Sequence, residues 1–300
     1  GARFCPALRP GESSLTARTG AAKAAPMTLS QFLAWSPRLP GGLAHYLPVL
    51  AAAAVAGAGA VVARGKWAGW AGLPGAAGTL AGWALLMPAP AWRAALQPRT
   101  MPEHLLAPAL AVVLLAAAWS RLRGRLARWA PVAVAALCGW WLARSAGREE
   151  FWRVWASFGA AAWLLVRVSA GQAARTWAAS LAVWGGLAAT GAPSVLTAPG
   201  LVLAAALAPS ALLGAGTGPV PALLAAVFLA DANLAIGRLP QGGVDGADLA
   251  CLAALAAPIL AWMLERRLGR GLQWFGPAPA ILAALLAGGA AWIGAGLLRR

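Results

Sequence analysis

The sequence predicts an all-α, polytopic integral membrane protein, because it is unusually apolar and its apolar residues form long continuous runs. Apolar residues make up 61% of the 300 and charged residues only 11%. Soluble domains are about half apolar and a quarter charged. A soluble chain of this length would need charged faces to cover its core, so we expect lipid to surround most of the surface.

Ten apolar runs follow one another along the chain, and we interpret each as a candidate transmembrane helix. The runs are continuous and rich in Ala and Leu, whereas barrel strands would alternate. The third to sixth runs are shorter than the roughly 20 residues that span the hydrocarbon, so the prediction is a bundle of 8–10 spans. The runs are Tyr46–Ala63, Trp67–Met87, Leu105–Trp119, Trp129–Ala143, Val154–Val166, Trp177–Ala189, Val195–Leu213, Pro219–Ile236, Leu249–Leu264 and Pro277–Leu298.

The short runs reach full length only if flanking arginines extend their side chains outward to the lipid headgroups. We expect Arg121, Arg144, Arg167 and Arg175 to do so. Several of the seventeen tryptophans lie at the ends of runs, where indole rings favour the interface.

The net charge of +16 does not indicate a nucleic-acid partner. The basic residues occupy short gaps between apolar runs, where headgroup contacts explain them, and no soluble basic domain exists to carry a nucleic acid. With ten spans, nine basic residues from Met27 onward fall on the N-terminal side and eleven on the other. These counts give no orientation.

The N-terminal region divides at Met27. Residues 1–26 contain scattered Pro, Gly, Ser and Thr without an apolar core, so we predict a disordered tail, which is a candidate for sequence outside the natural product. Residues 27–45 are predicted to form an interfacial segment. Residues 46–300 are predicted to form a single transmembrane helical domain.

Two glycine clusters in the predicted second helix, the first of which begins just before the run, predict close helix packing. Gly65, Gly69 and Gly72 share one helix face, and a second set with the same kind of spacing follows. Small residues at such spacings allow backbones to approach closely in lipid. We expect Pro74, between the sets, to bend this helix. The second set is Gly75, Gly78 and Gly82.

Asp231 is the only carboxylate within an apolar run, and it is the main candidate for function. A carboxylate in hydrocarbon is costly, so it should face the bundle interior, form a pair or take up a proton. One hypothesis makes Asp231 an ion or proton site. The alternative is an ion pair with Arg238, about 20° around the helix. Asn233 points away from Asp231 and is expected to bond to another helix.

Glycine-rich backbone before this run is a second candidate. Gly214, Gly216 and Gly218 form either a tight interhelical loop or an unwound helix of the kind that lines transporter sites. We group them with Asp231 in a hypothetical ion or substrate pathway.

The other polar residues include one further functional candidate and several that are expected to have structural roles. Glu103 with His104 is a candidate proton-handling pair, whereas Glu149 and Glu150 are expected to pair with neighbouring arginines. Asp245 and Asp248 are expected to lie in a turn near a helix N-terminus. The three cysteines and two histidines are isolated in the sequence, so we predict no metal, no cofactor and no catalytic residues.

Residues 238–297 contain RLP, APILAWMLERR and a final Gly/Ala/Leu helix. This stretch faintly resembles the closing part of drug/metabolite transporters of the EamA type. The similarity covers one fifth of the chain and has no counterpart in the first half, so it does not assign the chain to that family.

The leading functional hypothesis is a small-solute transporter or permease in a bacterial inner membrane, a location favoured by the compact loops and the Ala/Gly/Arg/Pro bias. Its partners would be the lipid bilayer and a small molecule or ion. The first alternative is a non-catalytic scaffold or assembly subunit that packs against another membrane protein through glycine faces. The third hypothesis, a membrane-embedded enzyme acting on lipid, lacks a catalytic motif.

Overall fold

Every element of the described chain is an α-helix, and each helix corresponds to one predicted apolar run. The computed structural model describes residues 46–63, 70–86, 101–119, 121–144, 148–169, 172–189, 194–213, 218–237, 245–267 and 277–298. These residues contain no strand, so the all-α prediction is confirmed for them. The helices are α1 (Leu47–Val62), α2 (Leu73–Leu85), α3 (Met101–Trp119), α4 (Gly124–Ala143), α5 (Arg148–Ser169), α6 (Ala173–Ala189), α7 (Ser194–Leu212), α8 (Val220–Gly237), α9 (Asp245–Arg267) and α10 (Ala278–Leu298).

Within the part of the chain that the structure describes, three helices are long and apolar enough to cross a membrane, as judged by length and composition. They contain Gly124–Ala143, Leu249–Arg267 and Ala278–Leu297. Other apolar helices within the described ranges are shorter. The 16 residues of α1, for example, extend about 24 Å, compared with about 30 Å of hydrocarbon. Length and apolar composition together therefore support three spans among the described residues and leave the predicted 8–10 spans as a proposal.

Several sequence predictions fall outside the described residues. The tail of residues 1–26 and the interfacial segment of residues 27–45 are among them. So are individual residues of the glycine clusters, of the hypothetical pathway and of the Asp231 ion pair, namely Gly65, Gly69, Gly214, Gly216 and Arg238.

Successive helices run in opposite directions, so the bundle has two distinct ends. A Cβ on Gly59, late in α1, would touch Pro74, early in α2. Likewise, a Cβ on Gly186, late in α6, would touch Ala250, early in α9. The odd-numbered helices therefore begin at one end, which we call the Asp231 end, and the even-numbered helices begin at the other, which we call the Arg167 end.

Glycines in α2 allow close packing within the chain. A Cβ on Gly78 would lie 2.5 Å from the Ala52 carbonyl oxygen in α1. A Cβ on Gly82 would overlap Val202 in α7, and one on Gly75 would lie 3.3 Å from Leu207 in the same helix. These three glycines therefore face α1 and α7 of their own chain.

The predicted bend at Pro74 is wrong, because α2 begins later than its apolar run. The helix starts at Leu73, with Gly72 as its N-cap residue, and Pro74 lies in the first turn. Proline is tolerated there because the first-turn N–H groups have no partner within the helix.

Helix α8, which carries Asp231, is the central element. All residues from Val220 to Ala232 are buried, and α8 packs against α2 to α7 and against α9. A helix that is apolar on all sides is typical of a protein core or of a membrane span. The sequence of α8 therefore matches its central position.

Helices α6, α9 and α10 form a second packing unit lined by alanine. Its buried residues are Ala178, Ala182, Ala253, Ala257, Ala280, Ala284, Ala287 and Ala291. Small side chains at these positions allow three backbones to approach closely, as small-residue contacts do in membrane bundles.

Candidate functional site

The structure places Asp231 beside His104 in the interior of the bundle. The two atoms, His104 Nδ1 and Asp231 Oδ1, are 3.5 Å apart. Asp231 is 1% exposed and His104 is 9% exposed. A buried carboxylate is costly unless it is protonated or paired with a positive charge. A neighbouring imidazole that carries a proton supplies that positive charge.

Two antiparallel helices bring these residues together. His104 lies in the first turn of α3, at the Asp231 end. Asp231 lies six residues before the end of α8, or about 9 Å from that end of the helix. Because α3 starts where α8 ends, both side chains fall at a similar depth in the bundle.

Other buried polar residues occur at the same end. Glu103 precedes His104 in the first turn of α3 and is 8% exposed. An acidic residue is favourable there because the helix dipole is positive at its N-terminus. Thr197, near the start of α7, is also buried. The Asp231 end thus combines two carboxyl groups, an imidazole and a hydroxyl group within apolar helices.

A close approach between α7 and α8 lies one turn from Asp231. A Cβ on Gly200 would lie 2.9 Å from Cζ of Phe228. In the same region, the Trp83 Nε1–H donates to the Pro199 carbonyl oxygen at 3.0 Å. These contacts hold α2, α7 and α8 together, so the surroundings of Asp231 are tightly packed.

A second, partly buried ionic cluster lies at the opposite end of the bundle. Arg175 donates through Nη2 to Glu265 Oε2 at 2.6 Å and through Nε to the same oxygen at 3.0 Å. Its Nη1 donates to the Val168 carbonyl oxygen at 2.9 Å. The cluster joins α5, α6 and α9.

Arg175 therefore corrects one sequence prediction, since its side chain points inward to Glu265. The other three arginines expected to extend outward lie against tryptophan rings near helix ends. The Cζ atoms of Arg144, Arg167 and Arg121 lie 3.6, 5.8 and 5.9 Å from the ring centroids of Trp141, Trp163 and Trp70. Such pairs are typical cation–π contacts.

Gly218 and Asp231, the two residues of the hypothetical pathway whose surroundings are described, lie far apart along α8. Gly218 is described, with φ of +63°, and it precedes the start of α8. Asp231 lies 13 residues further along the chain, about 20 Å along the axis. Gly218 instead lies against Trp119, since a Cβ there would be 2.9 Å from Trp119 Nε1.

The remaining candidates lie where side chains are not described. Asn233, Glu149, Glu150, Asp245 and Asp248 all belong to helices, but only their backbone is described. Asp245 and Asp248 lie in the first turn of α9, so their backbone is helical and does not form the predicted turn.

Sequence reasoning missed the contact between Asp231 and His104. His104 was grouped with Glu103 only, and Asp231 with Arg238. The available signal was the alternation of helix direction: a histidine at the start of an odd-numbered helix and an aspartate late in an even-numbered helix fall at the same end. That signal predicts that His104 and Asp231 lie at a similar depth in the bundle, but only the packing of the helices shows that they are in contact.

The described residues contain no group of three or more His, Cys, Asp or Glu side chains that could hold a metal ion. Comparison with protein-family models, with curated proteins and with solved structures gives no match in any of the three.

Proposed function

We propose that this chain is a multi-pass membrane protein that moves a small solute or ion, with Asp231 and His104 as its proton or cation site. The observation that carries the proposal is the buried 3.5 Å contact between these two side chains on facing helices. Ionisable groups inside membrane helices are costly and typically mark ion pathways or proton relays. We place the protein in a bacterial inner membrane on the basis of its sequence composition.

Exposed apolar side chains support a lipid environment. Leu126, Trp129 and Leu137 of α4 are more than half exposed, and so are Leu285, Ile293 and Leu297 of α10. Soluble monomers rarely expose large contiguous apolar surfaces. Arginines stacked on tryptophans near helix ends are also characteristic of residues at the membrane interface.

The chemistry of the pair suits reversible proton or cation binding. A carboxylate next to a neutral imidazole can accept a proton or a small cation, and the imidazole can take up or release a proton itself. Protonation of the pair changes the charge buried between α3 and α8. That change in charge would couple proton or cation occupancy to the arrangement of these helices.

The proposal is tested with purified protein in liposomes that contain a trapped pH-sensitive dye. A potassium diffusion potential drives proton entry, which is followed while a panel of small solutes is added outside. We expect solute-dependent proton entry for the wild type. Asp231→Asn and His104→Gln should reduce it to the rate of protein-free liposomes, because the proton site is removed.

Glu265→Gln is the matched control, since it also replaces a carboxylate by an amide but lies at the opposite end of the bundle. It should retain proton entry if it still folds, which a thermal unfolding curve reports. Equal proton entry for the wild type and the Asp231 variant would overturn the proposed site.

The first alternative, a scaffold, predicts no solute-dependent flux. It also needs glycine faces open to a partner, whereas Gly78 and Gly82 contact α1 and α7 of the same chain. The enzyme alternative predicts lipid turnover that depends on Glu103 or His104. Analysis of the liposome lipids after the flux assay distinguishes it from transport.

A further inference from the structure

A large groove separates α4 from α5 at the Arg167 end. Its volume is about 1080 Å³, at the upper limit of the roughly 300–1,000 Å³ typical of small-molecule sites. Four tryptophans contribute to its walls, together with small residues such as Gly159 and Ala160. The tryptophans are Trp119, Trp129, Trp155 and Trp163.

The groove exists because α4 is packed along only half its length. Its buried residues are all near the C-terminus, namely Cys138, Gly139, Leu142 and Ala143. There α4 touches α5 closely, since a Cβ on Gly139 would lie 2.7 Å from Phe158 Cδ1. Toward its N-terminus no residue of α4 is buried. The start of α8, with Gly218 and Leu223, contributes to the lining between the two helices.

Charge is distributed unevenly along this groove. Arg128 of α4 and Arg167 of α5 are among its lining residues, and none of the lining residues is acidic. Arg167 lies over the Trp163 ring, at 5.8 Å from its centroid. Arg121, Arg123 and Arg125 follow α3 at the same end of the bundle and are all exposed. The groove is thus apolar and aromatic along its length and cationic at one end.

We propose that this groove binds an anionic phospholipid of the surrounding membrane, with acyl chains between α4 and α5 and the phosphate between Arg128 and Arg167. The proposal rests on the multi-pass membrane placement above but not on the Asp231 site. Arginine pairs well with phosphate oxygens, and basic sites between membrane helices are typical of anionic headgroup binding. A second copy of this chain fits less well, because each copy carries a net charge of +16 and would bring like charges together.

The test is native mass spectrometry of the full-length protein in detergent, with phosphatidylglycerol or phosphatidylcholine added. We expect phosphatidylglycerol to bind more tightly than phosphatidylcholine. The double variant Arg128→Gln/Arg167→Gln should weaken phosphatidylglycerol binding by about tenfold or more, because charge-assisted contacts to the phosphate are lost. Binding of phosphatidylcholine should not change.

Two matched controls separate the groove from general charge attraction and from misfolding. Arg266→Gln/Arg267→Gln removes two exposed arginines from the same end, outside the groove, and should leave the preference intact. Gly159→Phe should fill the groove and reduce binding of both lipids. Gly289→Phe, in α10, should leave lipid binding unchanged. It is a matched control because a Cβ at either glycine has no neighbour within 4 Å.

Equal losses for the two double-arginine variants would overturn the proposal in favour of non-specific charge attraction. The proposal would be overturned in favour of a second copy if the wild type forms dimers, Gly159→Phe abolishes them, and no lipid is bound to the monomer. Asp231→Asn should keep full phosphatidylglycerol binding. Because proton entry and lipid binding are measured separately, the proposed transport site can fail its test without affecting the test of the groove.

Discussion

Asp231 shows what a single residue in the sequence can and cannot reveal. Its type and position predict that it faces inward, because a carboxylate in an apolar run must avoid hydrocarbon. Its 1% exposure in the structure agrees with that physical expectation. Its contact with His104 depends on which helices are neighbours, and a local pattern does not contain that information. The same reason explains why the sequence alone does not predict the contact between Arg175 and Glu265, which lie 90 residues apart.

The Arg175–Glu265 pair leads to a prediction about stability. Removing one partner of a buried pair leaves the other charge uncompensated, which costs about 3–5 kcal/mol. The Glu265 side chain is 27% exposed, so we expect Arg175→Ala to lower the free energy of unfolding by about 3 kcal/mol, the lower end of that range. Chemical unfolding in mixed micelles measures the change.

Arg267→Ala is the control, because Arg267 is exposed at the end of the same helix as Glu265. It should change the free energy of unfolding by about 0.5 kcal/mol or less. If Arg175→Ala costs no more than this control, the buried cluster does not hold α5, α6 and α9 together.

At the scale of whole helices, the sequence predicts where helices occur more accurately than it predicts the residues at which they begin and end. Each of the ten apolar runs corresponds to a helix, as continuous runs rich in Ala and Leu predict. Val154–Val166, one of the two shortest runs, lies within the 22-residue α5. Its polar flank, which contains two glutamates and two arginines, is helical too, and an apolar count alone misses it.

Helix α2 gives a prediction about packing at this scale. A Cβ on Gly78 would lie 2.5 Å from the Ala52 carbonyl oxygen and 2.9 Å from the Ala56 Cβ. The backbone of α1 would have to move, so Gly78→Ala should lower the free energy of unfolding by about 1–3 kcal/mol. Gly289→Ala meets open space in α10 and should be neutral or stabilising by up to about 1 kcal/mol, because Ala is the better helix former. If the unfolding curves of Gly78→Ala and Gly289→Ala coincide, the close packing of α1 against α2 is contradicted.

At the scale of the whole molecule, the number of helices that cross the membrane is testable. The proposal is 8–10 spans, whereas length and apolar composition together support three among the described residues. The two possibilities place residues between α4 and α9 differently. If α5 to α8 all cross, Arg144 lies on one side and Arg167 on the other, because α5 begins near one and ends near the other. If only α4, α9 and α10 cross, both arginines lie on the same side.

Single cysteines at Arg144, Arg167 and Leu213, introduced after replacement of Cys5, Cys138 and Cys251, decide between these arrangements. An impermeant maleimide is applied to right-side-out and inverted vesicles. We expect Arg144→Cys to react from one side and both Arg167→Cys and Leu213→Cys from the other, because α5 and α7 end at the same end of the bundle. The cysteine-free chain should remain unlabelled. Labelling of all three cysteines from one side would leave Asp231 outside the membrane, and the buried pair would then stabilise the fold without access to a transmembrane pathway.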